Sequence, residues 1–288
     1  MNRILLKTGG AVLLALLLVA AGKAQMNQAP APMQTQPAQA PNGAAPAAQT
    51  PAAPATPPVD PAEEAAFHAF MAAHAPDPAA QIKLGEAFVK TYPASTHLTT
   101  VYSALALDYL TTNDSDKMIA AAQKAIEIDP DNVDALSLTV WAMARTVDGD
   151  SPGATAEFAK LQSYGHHAIV LLATLQKPGG LDDAAFTAAK NDNLSMCHSG
   201  LGLIDLKLGD AQDAVSELRQ AVALAGTPDP VDYFVLGHAY DAVGQFDDAE
   251  TAFSKCAADG PMQDRCKVGL EDAKQQKLTA PTAAPPKS

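Results

Sequence analysis

Apolar residues between 61 and 277 recur at three- and four-residue intervals, the spacing that gives an α-helix one buried face. Within these residues no stretch alternates apolar and polar positions as a half-buried strand does. Proline and glycine fall between the apolar segments, and pairs such as Asp60-Pro61 and Asp229-Pro230 place a capping residue before a first-turn proline. The pattern predicts an all-α fold in which short turns make neighbouring helices antiparallel. The predicted helices lie near 61–75, 78–91, 95–111, 114–128, 131–146, 151–163, 182–190, 194–208, 210–225, 229–243, 245–258 and 262–276.

One ordered set of aromatic and small residues returns along the chain. In the segment from Pro230 to Met262 the set consists of Tyr233, Leu236, Gly237, Tyr240, Gly244, Phe246, Ala249, Phe253 and Pro261. A weaker copy lies 35 residues upstream and contains Leu201, Gly202, Gly209, Ala214, Leu218 and Ala221. A third copy contains Tyr102, Leu105, Ala106, Tyr109, Ala122, Ala125 and Pro130. A fixed period of this length indicates a helical repeat architecture.

The repeated unit resembles the tetratricopeptide repeat, a helix–turn–helix unit, and Cys256 stands where that family usually has alanine. The resemblance covers about 61–277, with 131–192 divergent, and the repeat ending at 88–95 is similar to those of secreted, periplasmic bacterial members. It implies an α-solenoid of antiparallel helix pairs, a tetratricopeptide-like superhelix. Stacking of the pairs buries the apolar face that each pair alone would expose.

The two ends of the chain differ from this repetitive middle. Arg3 and Lys7 precede an apolar run, 11–21, that is too short to span a bilayer and is typical of a secretory signal. We therefore expect 1–24 to be a signal peptide and the protein to be periplasmic. The alternative is an uncleaved anchor in the inner membrane, with the same domain facing the periplasm. Residues 25–60 are rich in Ala, Pro and Gln, and we expect a disordered linker there and a disordered tail at 278–288.

Charge and motifs narrow the classes of function. The chain carries 32 acidic and 19 basic residues, a net charge of −13, and a surface of that sign repels nucleic acid. Neighbouring His166 and His167 diverge on a helix, and Cys197-His198 lacks a suitably spaced third metal ligand. The sequence has no phosphate-binding glycine loop, zinc-protease motif or nucleophile elbow. We expect no metal, no cofactor, no small-molecule substrate and no enzymatic activity; an enzyme site in the divergent 131–192 region is the alternative.

The family resemblance also implies where a partner binds, because the first helix of each pair lines a concave groove. The positions that correspond to groove residues are Ser103, Leu107, Trp141, Arg145, Leu203, Lys207, Phe234 and His238. Aromatic and arginine side chains are frequent interface anchors, although a tryptophan at helical spacing is also typical of a core. The resemblance implies a non-enzymatic scaffold or adaptor of the bacterial cell envelope that binds a peptide or protein in this groove.

Two cysteines lie at equal distances from a predicted turn. Cys256 and Cys266 are each five residues from Pro261, on helices predicted to be antiparallel. Equal distance from the turn brings the two side chains to the same height, so a disulfide between them is expected, and an oxidising periplasm permits it. The alternative is a pair of buried free thiols.

Overall fold

A computed structural model describes residues 60–73, 77–258 and 260–280 of the 288-residue chain. The predicted signal peptide, the predicted linker up to residue 59 and residues 281–288 of the predicted tail lie outside these ranges. The regular elements within the described ranges are eleven α-helices: α1 (Pro61–Ala72), α2 (Pro78–Thr91), α3 (Leu98–Thr111), α4 (Ser115–Ile128), α5 (Val133–Thr146), α6 (Ala154–Thr174), α7 (Asp183–Leu208), α8 (Ala211–Leu224), α9 (Pro230–Ala242), α10 (Phe246–Cys256) and α11 (Gln263–Thr279). Among these eleven, none is both long enough and apolar enough to cross a membrane.

The Asp-Pro pairs start helices as their sequence predicts. The carboxylate of Asp60 accepts the backbone N–H of Ala62 at 2.9 Å, and that of Asp229 accepts the N–H of Val231 at the same distance. Proline follows each cap, at the first helical position, where an N–H group would have no acceptor within the helix. These caps fix the start of α1 and α9, and Asp60 therefore belongs to the folded part rather than to the linker.

The predicted bounds are wrong in the divergent region, where two helices are longer than expected. Helix α6 continues to Thr174 instead of ending at 163, and α7 is one helix from Asp183 to Leu208 instead of two. Gly165 lies inside α6, where an added Cβ atom would come within 3.0 Å of the Leu201 side chain. At the other end of the chain α11 runs to Thr279, so the first residues of the predicted tail are helical.

The helices form two rows with different spacing. Each helix packs on its neighbour in the chain, and in addition α3, α5, α7, α9 and α11 contact one another in that order. Between even-numbered helices the described residues make no such contact. We call the odd-numbered helices from α3 onward the inner row and the even-numbered helices the outer row. Closer spacing on one side curves a stack toward that side, so the inner row lines the concave face of the solenoid.

The last repeat is closed by tight packing and a covalent bond. A Cβ atom at Gly237 of α9 would lie 2.6 Å from the ring of Phe253, and one at Gly269 of α11 would lie 2.5 Å from it. The buried Phe253 ring of α10 therefore sits between two helices that have no side chain at the contact. Cys256 and Cys266 form a disulfide that joins α10 to α11, with Cα atoms 5.8 Å apart.

Candidate functional site

The residues predicted to line the groove all lie on the inner row, two on each of α3, α5, α7 and α9. The structure does not leave all eight equally available to a partner. Four of them use their polar or aromatic groups for contacts inside the fold, namely Ser103, Trp141, Arg145 and Lys207. The other four, Leu107, Leu203, Phe234 and His238, are partly or fully exposed, and among the first four Arg145 and Lys207 also keep part of their surface exposed.

Arg145 joins three helices of the inner row. From α5, its guanidinium donates to the hydroxyl of Ser199 on α7 at 2.9 Å and to the carboxylate of Asp232 on α9 at 2.9 Å. Asp229, which caps α9, lies 3.4 Å from the same nitrogen. These groups are largely buried. The positive charge of Arg145 therefore pairs with the carboxylates of Asp229 and Asp232 in a region shielded from water.

The carboxylate of Asp232 is the most enclosed charged group of this cluster, with its side chain 5% exposed. The Ser199 hydroxyl donates to the same oxygen that receives Arg145. Burial raises the pKa of Asp232, since desolvation outweighs the opposing charge of Arg145. Sequence reasoning missed Ser199 and Asp232, which lie 54 and 87 residues from Arg145.

Trp141 is a core residue with one face turned to Arg145. It is 7% exposed and belongs to the apolar cluster that extends from α1 to α7. The guanidinium carbon of Arg145 lies 4.4 Å from the centre of its ring, and an N–H of Arg145 donates to the Trp141 carbonyl at 2.8 Å. The pair stabilises the end of α5 through a cation–π contact.

Lys207 and Ser103 also serve the fold. The ammonium group of Lys207 donates to the carbonyl oxygens of Ala144 and Val147, both at 2.7 Å, and so satisfies the C-terminal end of α5 from the neighbouring helix. Desolvation lowers the pKa of Lys207. The hydroxyl of buried Ser103 accepts the side-chain N–H of Asn132, the cap of α5, at 2.9 Å.

Two predicted groove residues remain together at the surface of α9. The ring of Phe234 is partly exposed and that of His238 is exposed, and their centres lie 4.5 Å apart in an edge-to-face arrangement. His238 also meets the ring of Phe253 at 5.0 Å. Desolvation lowers the pKa of His238, and the carboxylate of Asp272 on α11 opposes this effect.

A carboxylate pair that the sequence did not single out lies beside these rings. Burial, together with the negative charge of Asp272, raises the pKa of Asp241 to about 6. The Oδ1 atom of Asp241 is buried and has no hydrogen-bond partner among the described residues. The inner row thus presents, between α9 and α11, an aromatic surface next to two carboxylates whose charges repel each other.

Cys197 and the adjacent His198 do not form a nucleophilic centre. Its buried thiol donates to the hydroxyl of Ser137, and burial raises the pKa of Cys197 to about 12. The thiol is therefore protonated at neutral pH, whereas the nucleophile is the thiolate. The adjacent His198 is occupied by Glu217, with 2.6 Å between the ring nitrogen and the carboxylate. Within 60–73, 77–258 and 260–280, no group of three His, Cys, Asp or Glu side chains could hold a metal ion.

A comparison with protein families agrees with the helical-pair arrangement. A model of the tetratricopeptide repeat matches residues 99–132 and 233–258, which correspond to α3–α4 and to most of α9–α10. No curated protein matches the chain by sequence. Similar solved structures include a tetratricopeptide protein of Thermus thermophilus, with 18% identity over 74% of this chain and 99% of the other and a TM-score of 0.44. They also include the type IV pilus biogenesis factor PilW, with 14% identity over 78% of this chain and 96% of the other and a TM-score of 0.46.

The two matched segments coincide with antiparallel helix pairs, and the same packing continues through α5–α6 and α7–α8 between them. Two segments of the chain thus match the tetratricopeptide repeat, and the described residues form an all-α solenoid built from such helix pairs.

Proposed function

We propose that this protein is a non-enzymatic scaffold that binds a protein or peptide on its inner row. Tetratricopeptide solenoids present extended concave surfaces, and such surfaces bind other proteins or peptides. The partner surface centres on α9 and α11, where Phe234 and His238 are exposed beside Asp241 and Asp272.

The single observation that carries the proposal is the unsatisfied carboxylate of Asp241. Its buried Oδ1 atom lacks a donor among the described residues, and the like charge of Asp272 acts on it. A lysine or arginine side chain from a partner would supply the missing donor and relieve the repulsion. Its aliphatic stem would lie against the rings of Phe234 and His238. The partner segment is therefore basic.

The cell envelope is the proposed place of action. The apolar run at 11–21 after a basic start supports export, and an exported domain meets partners in the periplasm. The disulfide between Cys256 and Cys266 is compatible with an oxidising compartment. The mass of the N-terminal peptide of the purified protein distinguishes a cleaved signal from an inner-membrane anchor.

The test is brief cross-linking of the tagged protein in its own envelope fraction, followed by purification and mass spectrometry. We expect one enriched protein, with a basic segment at the cross-link, that is lost in the double variant His238→Ala, Asp241→Asn. Ser254→Ala, an exposed change on the outer row, is the matched control and should keep the partner. Recovery of the same protein by both variants would refute binding at α9–α11.

A further inference from the structure

A groove separates α4 from α6 on the outer row and has a volume of about 600 Å³. Helix α4 and the turn after it contribute Ile126, Glu127 and Pro130, while Lys160, Ser163 and Tyr164 are among the residues that α6 contributes. The groove exists because α4 and α6 both pack on α5 without contacting each other. It is distinct from the inner row and belongs to the region where the repeat pattern is weakest.

Both walls of the groove follow helical spacing. The lining residues of α6 begin at Lys160 and lie three, four and seven positions further along, the last being His167. Val170, seven residues after Ser163, continues the same face and is 65% exposed. One face of α6 therefore stays uncovered along most of its length.

The floor of the groove is apolar. Ile126 is 8% exposed, and both it and Tyr164 belong to or pack against the main apolar cluster. Pro130 closes one end. Tyr164 is only partly buried, and the ammonium group of Lys160 lies 5.6 Å from the centre of its ring.

The charges around the groove are unequal. Of the charged residues, Glu127 and Lys160 line the groove. Asp129 and Asp131 flank Pro130 in the chain, and Lys124 and Glu157 lie one turn from Glu127 and Lys160. Both lysines already pair with acids of the same helix, Lys124 with Glu127 and Lys160 with Glu157. His167 contacts Asp131 at 2.8 Å. The rim therefore carries excess negative charge, which lies at the Pro130 end.

We propose that this groove binds an amphipathic helix of a partner protein, with its apolar face on Ile126 and Tyr164 and with lysine or arginine residues beside Asp129 and Asp131. An incoming helix offers anchors at the same three-, four- and seven-residue intervals as the two walls. Basic flanks complement the acidic rim and orient the helix. This surface is separate from the inner row, so a partner could be held on each.

The test uses a synthetic helical peptide of leucine and lysine, about 14 residues long with leucines on one face, and its leucine–glutamate counterpart. Binding to the full chain is measured by calorimetry. We expect the lysine peptide to bind and the glutamate peptide to bind at least about tenfold more weakly. Ser163→Trp, which fills the exposed centre of the groove, should weaken the lysine peptide by a similar factor.

Matched variants separate this site from general attraction to an acidic protein. Ser254→Trp places the same bulk on exposed α10, and Asp264→Lys makes the same charge change on α11 as Glu127→Lys makes at the rim. Glu127→Lys should weaken binding and both controls should leave it unchanged. Circular dichroism of each variant checks that the fold is intact. The proposal is overturned if groove variants and controls weaken binding equally, if the two peptides bind alike, or if neither binds.

Discussion

Asp134, in the first turn of α5, shows how one buried carboxyl group sets a pH dependence. It is 6% exposed, and burial raises its pKa to about 6. Asn193 donates to it at 2.7 Å, while the Oδ1 atom of Asn193 is buried without a partner among the described residues. An amide at position 134 would accept the first hydrogen bond, donate a second to Asn193 and carry no charge.

We expect Asp134→Asn to raise the free energy of unfolding at pH 7 by about 2 kcal/mol. The stability that Asp134 contributes is present below the unfolded pKa, because the native state holds the proton more tightly, and it is lost as the pH rises through about 6. The variant lacks this loss. Urea unfolding of the wild type and the variant at pH 5 and pH 7 measures this loss. An equal decrease of the free energy of unfolding from pH 5 to pH 7 in both proteins would contradict the role given to Asp134.

Gly237 contributes to packing because it has no side chain. A Cβ atom there would come within 2.6 Å of the Phe253 ring, which is fully buried and also packs on Gly269. We expect Gly237→Ala to lower the free energy of unfolding by roughly 1–3 kcal/mol, although alanine is the better helix former. Gly179→Ala is the control, since nothing lies within 4 Å of its added methyl group. Chemical denaturation gives both values, and an unchanged Gly237→Ala would mean that the ring can move aside.

At the scale of helices, apolar periodicity and Asp-Pro caps were enough to predict the fold class and most helices. They failed between 164 and 193, where local signals for a break were satisfied by distant partners. The polar run at 191–193 looks like a turn, yet Asn193 donates to Asp134 and the helix continues. Gly165 looks like a terminator, yet it gives Leu201 room to pack.

The candidate site was harder to predict than the fold, for a related reason. Repeat positions place Arg145 and Lys207 on the inner row, but not the groups that they bind. Arg145 meets Asp232 across 87 residues, and Lys207 meets the Ala144 carbonyl across 63. Such pairs depend on how successive repeats are offset, which no local pattern encodes. Repeat position alone places Phe234 and His238 on the inner row, where both keep part of their surface exposed.

The disulfide is the feature of α10 and α11 that chemistry can test directly. Cys256 and Cys266 are bonded, and Cys197 is free and buried. We expect an alkylating reagent to add to Cys197 alone in urea without reductant, and to all three cysteines after reduction. Mass spectrometry counts the adducts, and modification of Cys256 or Cys266 before reduction would disprove the bond. Reduction should also destabilise the α10–α11 pair by about 2–3 kcal/mol, because a short closed loop is lost.

On the scale of the whole molecule, Arg145 links α5 to α9, two helices whose backbones do not contact each other. We expect Arg145→Met to lower the free energy of unfolding by roughly 3–5 kcal/mol, because Asp232 is left buried without its counter-charge. The double variant Arg145→Met, Asp232→Asn should recover most of this loss. Equilibrium unfolding measures each value, with Arg265→Met on exposed α11 as the control. Failure of the double variant to recover would assign the loss to packing against Trp141 instead.

The unequal spacing of the two rows has a mechanical consequence. Inner-row helices touch along the whole stack and are fastened together by Arg145 and Lys207, so their spacing resists change. The backbones of the outer-row helices do not approach one another within the described ranges, so we expect the gaps between them to widen or narrow more readily than those of the inner row. We therefore expect the solenoid to bend mainly by changing the spacing of its outer-row helices. Thermal bending then alters the width of the α4–α6 groove far more than the distances between residues that face the concave side.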